Sequence, residues 1–175
     1  MKNTIPLPAS AAPSTHLLIV NHHQPLRWVL TDQRMAFESR RADTARRAVR
    51  RYDEALIYAT AGCFQGSAPG RVIGLATVTG AVGPLARPVA FQGRRFVSGC
   101  SLRVHGLTPY GEGVALRDLV PCLRTFAGRG SWGVLLRRPA LTLSPPDADL
   151  LRRELQPLLR PYDATVGGYD VPSAA

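Results

Sequence analysis

Aromatic side chains in this sequence are set among basic and short polar residues in three separate segments. The first covers residues 27–37 (RWVLTDQRMAF), the second 57–64 (IYATAGCF) and the third 130–139 (GSWGVLLRRP). Aromatic rings stack on nucleobases and guanidinium groups bind phosphates, so this combination is typical of surfaces that bind nucleic acids. Each ring is equally compatible with packing in a hydrophobic core or at its rim.

An arginine-rich helix is predicted over residues 40–52. Four positions at spacings of three, four and three residues form one stripe along such a helix: Ala42, Ala45, Val49 and Tyr52. The other faces carry six guanidinium groups: Arg40, Arg41, Arg46, Arg47, Arg50 and Arg51. The planar fork of arginine fits phosphate oxygens, so we interpret this surface as phosphate-facing, with a simply solvated face as the alternative.

The charge balance favours an anionic partner. The chain has 22 Lys and Arg residues against 12 Asp and Glu, a formal net charge of +10 and a pI near 10.7. Proteins this basic favour nucleic acid or an acidic surface. The arginine excess is also what G+C-rich coding would produce, because Lys2 is the only lysine in the chain.

Motifs for catalysis or metal binding are absent from the sequence. It contains no P-loop, GxSxG, HExxH or CxxC motif, so we expect a protein that is not an enzyme and needs no cofactor or metal. The odd number and wide spacing of Cys63, Cys100 and Cys122 predict no disulfide framework. Cys63 or Cys100 with a distant histidine would make a nucleophile pair, but a small buried hydrophobe is the simpler interpretation.

The hydropathy pattern predicts no association with a membrane. The longest apolar run near the N-terminus is residues 17–20 (LLIV). That run is far shorter than the roughly 18–20 residues that span a bilayer, and it is too short for a signal peptide. We therefore expect a cytoplasmic protein whose thiols are reduced.

Short elements joined by turns are predicted along the chain. Strands are expected over residues 16–20, 55–60, 71–79, 89–97 (a hairpin) and 101–107. A second helix is expected over 147–159, capped by Ser144 or Asp147. About six strands and two helices that do not alternate indicate an α+β fold, built on a strongly bent sheet or small β-barrel with flanking helices.

One domain is predicted between two tails. Residues 1–15 are mostly Ala, Pro, Ser and Thr, which indicates a flexible N-terminal arm. Residues 16–160 contain the apolar segments that would form a single domain, and residues 161–175 are expected to form a flexible C-terminal tail.

Several of these segments together resemble the EVE branch of the PUA-like superfamily. The resemblance rests on the LLIV strand, Trp28, Arg34, IYAT at 57–60, GRVIGLA at 70–76, and Trp132 before LRRP at 136–139. It covers residues 16–155. It implies a β-barrel with flanking helices and a concave pocket that accepts a flipped, modified base, in a protein that reads the base without catalysis.

Two segments depart from the usual EVE pattern. Leu17 and Leu18 stand where the first strand usually has a tryptophan, and residues 21–25 (NHHQP) replace the usual Ser-Glu-Pro loop. Within the branch, the chain is similar to actinobacterial members that bind 5-methylcytosine in DNA.

The resemblance gives roles to particular residues. Aromatic rings would stack on the base, polar groups would bind its edge, and Met35, Ala36 or Phe37 would touch a methyl group. The implied base pocket consists of Trp28, Thr31, Asp32, Gln33, Arg34, Met35, Phe37, Tyr58, Thr60, Phe64 and Trp132. The implied phosphate-binding residues are Arg40, Arg41, Arg46, Arg47, Arg50, Arg51, Arg94, Arg95 and Arg137.

The sequence therefore predicts a monomer that binds methylated double-stranded DNA, with 5-methylcytosine as the base that is flipped into the pocket. An RNA-binding PUA-like module stays open, and so does a non-catalytic specificity subunit of a restriction or defence system. An enzyme that acts on nucleotides is the remaining alternative.

Overall fold

Apolar segments rich in β-branched residues form the middle of a curved mixed sheet. The structure is a computed structural model that describes residues 12–170; most of the predicted arm (1–11) and the end of the predicted tail (171–175) lie outside the described residues. Within that range the strands are β1 (Thr15–Val20), β2 (Arg34–Phe37), β3 (Glu54–Ala59), β4 (Arg71–Val78), β5 (Gly83–Phe91), β6 (Arg94–Leu107), β7 (Val114–Ala115), β8 (Ala140–Thr142) and β9 (Arg160–Pro161).

Helices cover the sheet on both sides. The α-helices of the described range are α1 (His23–Asp32), α2 (Ser39–Ala48), α3 (Leu116–Leu119), α4 (Pro145–Leu155) and α5 (Tyr162–Thr165). Short 3₁₀ helices occupy Ala61–Cys63, Val120–Cys122, Arg124–Phe126, Trp132–Arg137, Gln156–Leu158 and Val166–Asp170. Between residues 12 and 170, no helix is both long and apolar enough to cross a bilayer.

The sheet is strongly bent, as the sequence predicted. Its strand order is β2-β6-β4-β3-β1-β8, and β5, β7 and β9 pair at its sides. β1 and β3 run parallel, and the other pairs are antiparallel. β6 is 14 residues long: its first half pairs with β2 and β5, and its second half pairs with β4. Register shifts at Leu75/Ala76 and Ile57/Tyr58 add local bends. The predicted α+β fold class is thus confirmed.

Both faces of the middle of the sheet are buried, and this explains why β1 is apolar from Leu17 to Val20 and β3 from Ala55 to Ala59. Successive strand residues point to opposite faces. Leu18 and Ile57 join the core that α1 and α2 cover, whereas Leu17 and Leu56 join the core that α4 covers. All four side chains are fully buried.

Gly99 lets β2 pack closely on β6. A Cβ atom at this position would collide with the carbonyl oxygen of Met35, so a larger residue would push β2 away. Met35 is buried by this packing and lies at the edge of a cavity between β2 and α1.

The arginine-rich helix is shorter than predicted. α2 ends at Ala48, Val49 is extended, and Tyr52 has a left-handed φ of 74°. The backbone N–H of Arg50 donates to Asp53 Oδ2 at 2.8 Å, which holds this segment as a turn. Arg50 and Arg51 therefore lie beyond the helix.

The domain continues past the predicted boundary at residue 160. Tyr169 is 1% exposed, and its hydroxyl donates to the carbonyl oxygen of Thr108 at 2.8 Å. The Tyr162 hydroxyl donates to the carbonyl oxygen of Leu30 at 2.8 Å. Residues 161–170 thus pack on the domain instead of extending from it. The two tyrosine hydroxyls bond to carbonyl oxygens far away in the sequence. Such contacts produce no hydrophobic periodicity from which this packing could be predicted.

Asp147 joins α4 to the segment before it. Ser144 caps α4 by accepting a hydrogen bond from the Asp147 backbone N–H at 3.4 Å, as predicted. The buried Asp147 carboxylate accepts from the backbone N–H groups of Arg124 (2.9 Å) and Thr125 (2.7 Å). Burial alone raises the pKa of Asp147, but the bonds from Thr125 and Arg124 outweigh it and hold the pKa below its ordinary value.

We expect Asp147→Asn to lower the free energy of unfolding at neutral pH by about 1–3 kcal/mol, because buried N–H groups lose a charged acceptor. A carboxyl group whose pKa is lower in the folded than in the unfolded state stabilises the protein above its unfolded pKa of about 3.9. That contribution is lost as the pH falls through the folded pKa. Urea unfolding at neutral pH and near pH 3 should therefore show a smaller difference between wild type and variant in acid.

The control for this comparison is Asp149→Asn, because Asp149 is exposed on the same helix and pairs with Arg152 at the surface. This change should alter stability by less than about 0.5 kcal/mol. A deficit in Asp147→Asn that is equally large at both pH values would contradict the prediction.

Candidate functional site

A cavity of about 160 Å³ opens where α1, β2, the start of α2 and the β5–β6 hairpin meet the end of β1. It is lined by Ile19, Val20, Asn21, His22, Pro25, Trp28, Val29, Met35, Ala36, Glu38, Arg41, Phe91, Gln92, Arg94, Phe96, Arg137 and Pro139. One wall belongs to the core of the domain, and the facing wall belongs to a surface hairpin.

Three aromatic rings form one side of the cavity. The ring centroids of Trp28 and Phe91 are 5.7 Å apart at an interplanar angle of 61°, and those of Phe91 and Phe96 are 5.7 Å apart at 54°. All three side chains are half-buried. Rings held edge to face in this way keep part of their surface open to a further flat ring.

A tight turn sets the position of the hairpin aromatics. Gln92 and Gly93 form a two-residue loop in which both φ angles are positive, 50° and 74°. Positive φ at both loop residues is the requirement of a type I′ turn, whose twist matches that of paired strands. Phe91 and Arg94 are therefore directly opposite each other across the hairpin.

Glu38 places a carboxylate in the cavity. Arg94 Nη1 donates to Glu38 Oε1 at 3.0 Å, and the two side chains are 74% and 30% exposed. The second oxygen, Oε2, makes no hydrogen bond or ion pair with residues 12–170. An ionised carboxylate only accepts hydrogen bonds, so the cavity contains one strong acceptor with unused capacity.

The rim of the cavity is cationic. Arg41, Arg94 and Arg137 line it and are exposed, whereas Glu38 is the single acidic residue of the lining. Three guanidinium groups around one carboxylate give the entrance a net positive charge. Such an entrance attracts anionic groups and leaves the carboxylate to select among neutral hydrogen-bond donors.

The structure brings five of the predicted site residues to this cavity, from five different elements: Trp28, Met35, Arg41, Arg94 and Arg137. Their separation in sequence reaches more than a hundred positions. The long antiparallel pairings of β6 and the packing of α2 bring them together.

Four predicted pocket residues are neighbours of the cavity in sequence but do not line it. Thr31, Asp32 and Arg34 are exposed at the junction of α1 and β2. Gln33 has a left-handed φ of 49°, and its side-chain Oε1 accepts from the Val104 backbone N–H at 2.8 Å. The Gln33 side chain therefore links the end of α1 to β6, and its amide oxygen is already used in a hydrogen bond within the protein.

Three predicted aromatics are built into the core. Phe37 is fully buried beneath α1 and α2. Tyr58 belongs to the core on the other face of the sheet, and the half-buried Trp132 packs against that core with its ring centroid 6.0 Å from that of Phe126. Because strand residues alternate between faces, Tyr58 points away from the side that its neighbour Ile57 occupies.

Thr60 and Phe64 flank the 3₁₀ helix Ala61–Cys63. Thr60 Oγ1 donates to the carbonyl oxygen of Asn21 at 3.0 Å, so it supports a loop that lines the cavity without lining it itself. The Phe64 ring packs on Tyr110 at 5.7 Å.

The other predicted phosphate-binding residues are exposed but do not line this cavity: Arg40, Arg46, Arg47, Arg50, Arg51 and Arg95. Arg46 pairs with Asp43 at 3.3 Å. The Arg51 guanidinium lies 4.8 Å from the centre of the Tyr52 ring. These residues raise the positive potential of the surface around α2.

Sequence reasoning missed Phe91, Phe96 and Glu38. A hairpin was predicted at these two phenylalanines, and their position on either side of Gln92-Gly93 was a usable signal for two rings on one face. Glu38 directly precedes the arginine-rich helix, and nothing local indicates that it lies beside Arg94.

The two buried cysteines, Cys63 and Cys100, do not have the properties of a nucleophile. Burial raises the pKa of Cys63 to about 12, although hydrogen bonds from Thr60 oppose the change. Burial also raises the pKa of Cys100 to about 12. A nucleophilic cysteine needs a lowered pKa and access to solvent. Across residues 12–170, no group of three or more His, Cys, Asp and Glu side chains could hold a metal ion.

We expect a thiol reagent at neutral pH to modify the native protein at one cysteine. Cys122 is exposed, whereas Cys63 and Cys100 are 1% and 4% exposed. A colorimetric thiol titration should give one reactive thiol in the native protein and three after unfolding. Cys122→Ser should remove the native signal, and rapid labelling of Cys63 in that variant would contradict the assignment.

No protein-family model matches the chain, and no curated protein matches it in sequence. Among solved structures, a hypothetical protein from Leishmania major is 14% identical, with a TM-score of 0.51 over 81% of this chain and 93% of its own. A Rhodopseudomonas palustris protein solved by NMR is 15% identical, with a TM-score of 0.51 over 83% of this chain and 94% of its own.

Human THYN1, solved in complex with DNA that contains 5-methylcytosine, is 14% identical, with a TM-score of 0.45 over 81% of this chain and 97% of its own. The described sheet and helices form the α+β fold with a strongly bent sheet that the sequence predicted. The chain shares its overall fold with the Leishmania and Rhodopseudomonas proteins.

Proposed function

We propose that this protein is a monomeric, non-catalytic reader that takes one extruded base of a DNA strand into the aromatic cavity, with 5-methylcytosine as its preferred base. The observation that carries the proposal is the combination of a ring-lined cavity, one carboxylate with a spare oxygen, and three arginines at the rim. The aromatic rings match the flat face of a base, the carboxylate oxygen matches its amino edge, and the arginines match the phosphate of the nucleotide.

The size of the cavity favours a single ring. Pockets for drug-sized ligands have volumes of about 300–1,000 Å³, and this cavity has about 160 Å³. A base inside a duplex is stacked and paired, so it must rotate out of the helix before it can enter such a space. Pyrimidines fit this volume better than purines, which have two fused rings.

Glu38 favours cytosine among the pyrimidines. Cytosine carries an amino group at N4 that donates hydrogen bonds, and carboxylates accept from it in known recognition patterns. Thymine and uracil carry an oxygen acceptor at the same position, which would face the Glu38 carboxylate unfavourably. The free Oε2 atom is therefore suited to select an amino-bearing ring.

Met35 and Ala36 supply apolar contact for a methyl group. Both line the cavity, and Met35 is 4% exposed. Burying one methyl group contributes about 0.8 kcal/mol, which corresponds to a preference of roughly fourfold. The preference for 5-methylcytosine over cytosine should therefore be modest, while most of the affinity comes from stacking and phosphate contacts.

We expect Trp28→Ala to weaken binding to a duplex with one 5-methylcytosine by about 1–3 kcal/mol, and to weaken binding to the unmethylated duplex less, because a stacking surface is lost. Fluorescence polarisation with labelled duplexes at fixed salt measures both affinities.

Trp132→Ala is the matched control, because Trp132 packs against the core on the opposite face of the sheet. Thermal unfolding first shows that each variant is folded. Equal losses from the two substitutions, or equal effects on the two duplexes, would contradict the assignment of Trp28 to the base pocket.

We expect Glu38→Gln to reduce the preference for cytosine over thymine by roughly tenfold, since an amide can donate to the thymine oxygen and one correct base contact is worth about 1–3 kcal/mol. The probes are duplexes that differ only in a mismatched cytosine or thymine at one position. RNA of the same sequence is the third probe, and tighter binding to it would overturn the assignment to DNA.

Glu154→Gln is the control for charge, because it removes the same negative charge from an exposed position on α4. Glu154→Gln should bind all duplexes slightly more tightly through the change in net charge and keep the preference for cytosine over thymine. A cytosine preference that is unchanged in Glu38→Gln would remove Glu38 from the site.

A further inference from the structure

A second and larger cavity of about 540 Å³ lies between α2 and the segment that leads into β8. It shares Arg41, Arg137 and Pro139 with the base cavity, so the two spaces are neighbours with common walls. We call this second space the α2–β8 groove. The proposed binding of one base in the aromatic cavity gives this groove no role.

Small side chains keep the groove open on its helical side. Thr44, Ala45 and Ala48 line it from α2. Longer side chains at these positions would fill the groove, so its volume depends on the small residues of α2.

The other side of the groove is the outer edge of the sheet. β8 ends the strand order and pairs with β1, where Leu141 lies opposite Leu17. Pro139 accepts from β1 on the inner side, at 2.9 Å from the Ile19 nitrogen. Antiparallel residues alternate between the two sides, so the backbone groups of Ala140 and Thr142 belong to the outer edge.

The groove is cationic and contains no acidic residue in its lining. Arg41, Arg137 and Arg138 line it, and all three are exposed. Their guanidinium groups make no hydrogen bond or ion pair with the described part of the chain. By contrast, Arg152 is held by Glu54 at 2.6 Å. The groove arginines are therefore available to a ligand.

A buried network fixes both sides of the groove. Asp53 Oδ2 accepts from the Arg50 backbone N–H just after α2, and it is 2.7 Å from His16 Nε2. His16 Nδ1 is 3.1 Å from the hydroxyl of Thr142 on β8. The end of α2 and the edge strand are thus tied to one carboxylate, which keeps their spacing constant before any ligand binds.

We infer that the α2–β8 groove binds the phosphodiester backbone of the strand that delivers the extruded base, next to the flipped nucleotide. The inference rests on the proposed function, because shared walls make the groove the continuation of the base site. Arginine forks and hydroxyl groups bind phosphate oxygens, and the groove offers three guanidinium groups and the Thr44 hydroxyl, whereas the Thr142 hydroxyl is used by His16. Three guanidinium groups along one groove can bind successive phosphates of a strand.

The test uses Arg138→Ala, because Arg138 lines the groove and not the base cavity. Arg153→Ala is the matched control, since Arg153 is an exposed arginine of α4 that lines neither of the two cavities. Affinities are measured at several salt concentrations for two duplexes, one with 5-methylcytosine and one with an abasic site at the same position.

We expect Arg138→Ala to weaken both duplexes about tenfold. It should also reduce the slope of log K against log salt by about 0.9, the contribution of one phosphate contact. The preference for 5-methylcytosine over cytosine should stay unchanged. Ala48→Leu, which fills the groove without changing the charge, should also weaken both duplexes.

The inference would be overturned if Arg138→Ala and Ala48→Leu had the same affinities and the same salt dependence as Arg153→Ala. Competition arms with inorganic phosphate and with 5′-dCMP identify the ligand: displacement of the abasic duplex by either at low millimolar concentration would assign the groove to a free phosphate instead. If instead the proposed base-binding role of the aromatic cavity is wrong, Trp28→Ala will have no effect while the abasic duplex still binds. The two failures are therefore distinguishable.

Discussion

One buried carboxylate holds together the parts of the protein that surround both cavities. Asp53 is 4% exposed and accepts from the backbone N–H groups of Ser14 and Arg50, while its Oδ2 lies 2.7 Å from His16 Nε2. An unpaired charge at this depth would be strongly destabilising, so these partners are required together. Through them the start of β1, the end of the arginine-rich helix and the edge strand β8 have one fixed arrangement. The cationic groove lies between the last two.

The base cavity combines a rigid wall with an adjustable one. Trp28 and Met35 sit on elements packed into the core, whereas Phe91 and Phe96 belong to a surface hairpin. The Arg94–Glu38 pair connects this hairpin to the start of α2 across the rim. Exposed ion pairs contribute only about 0–1 kcal/mol, so Arg94 can exchange Glu38 for another anion at small cost. The carboxylate then remains available to a donor inside the cavity.

The arginines divide into two groups by their partners. Arg27 and Arg152 pair with acidic side chains and connect distant parts of the fold. Arg41, Arg137 and Arg138 line the cavities and have no hydrogen bond or ion pair with residues 12–170. The composition alone shows only a large positive charge, which favours polyanions in general. The proposed selectivity depends on the other features next to these arginines, namely the three rings and the single carboxylate.

The sequence by itself determined the local elements and the overall class. Uninterrupted apolar runs specified β1, β3 and β4, and Ser144 with its prolines specified the start of α4, because these signals depend on neighbouring residues alone. Tertiary structure decided which aromatics line the cavity. Tyr58 and Trp132 pack on the far face of the sheet, whereas Phe91 and Phe96 lie beside Trp28. The buried Tyr169 anchors the segment that was predicted to be a flexible tail. A strand has two faces and a hairpin two sides, and only packing between residues far apart in the chain determines which of them is covered.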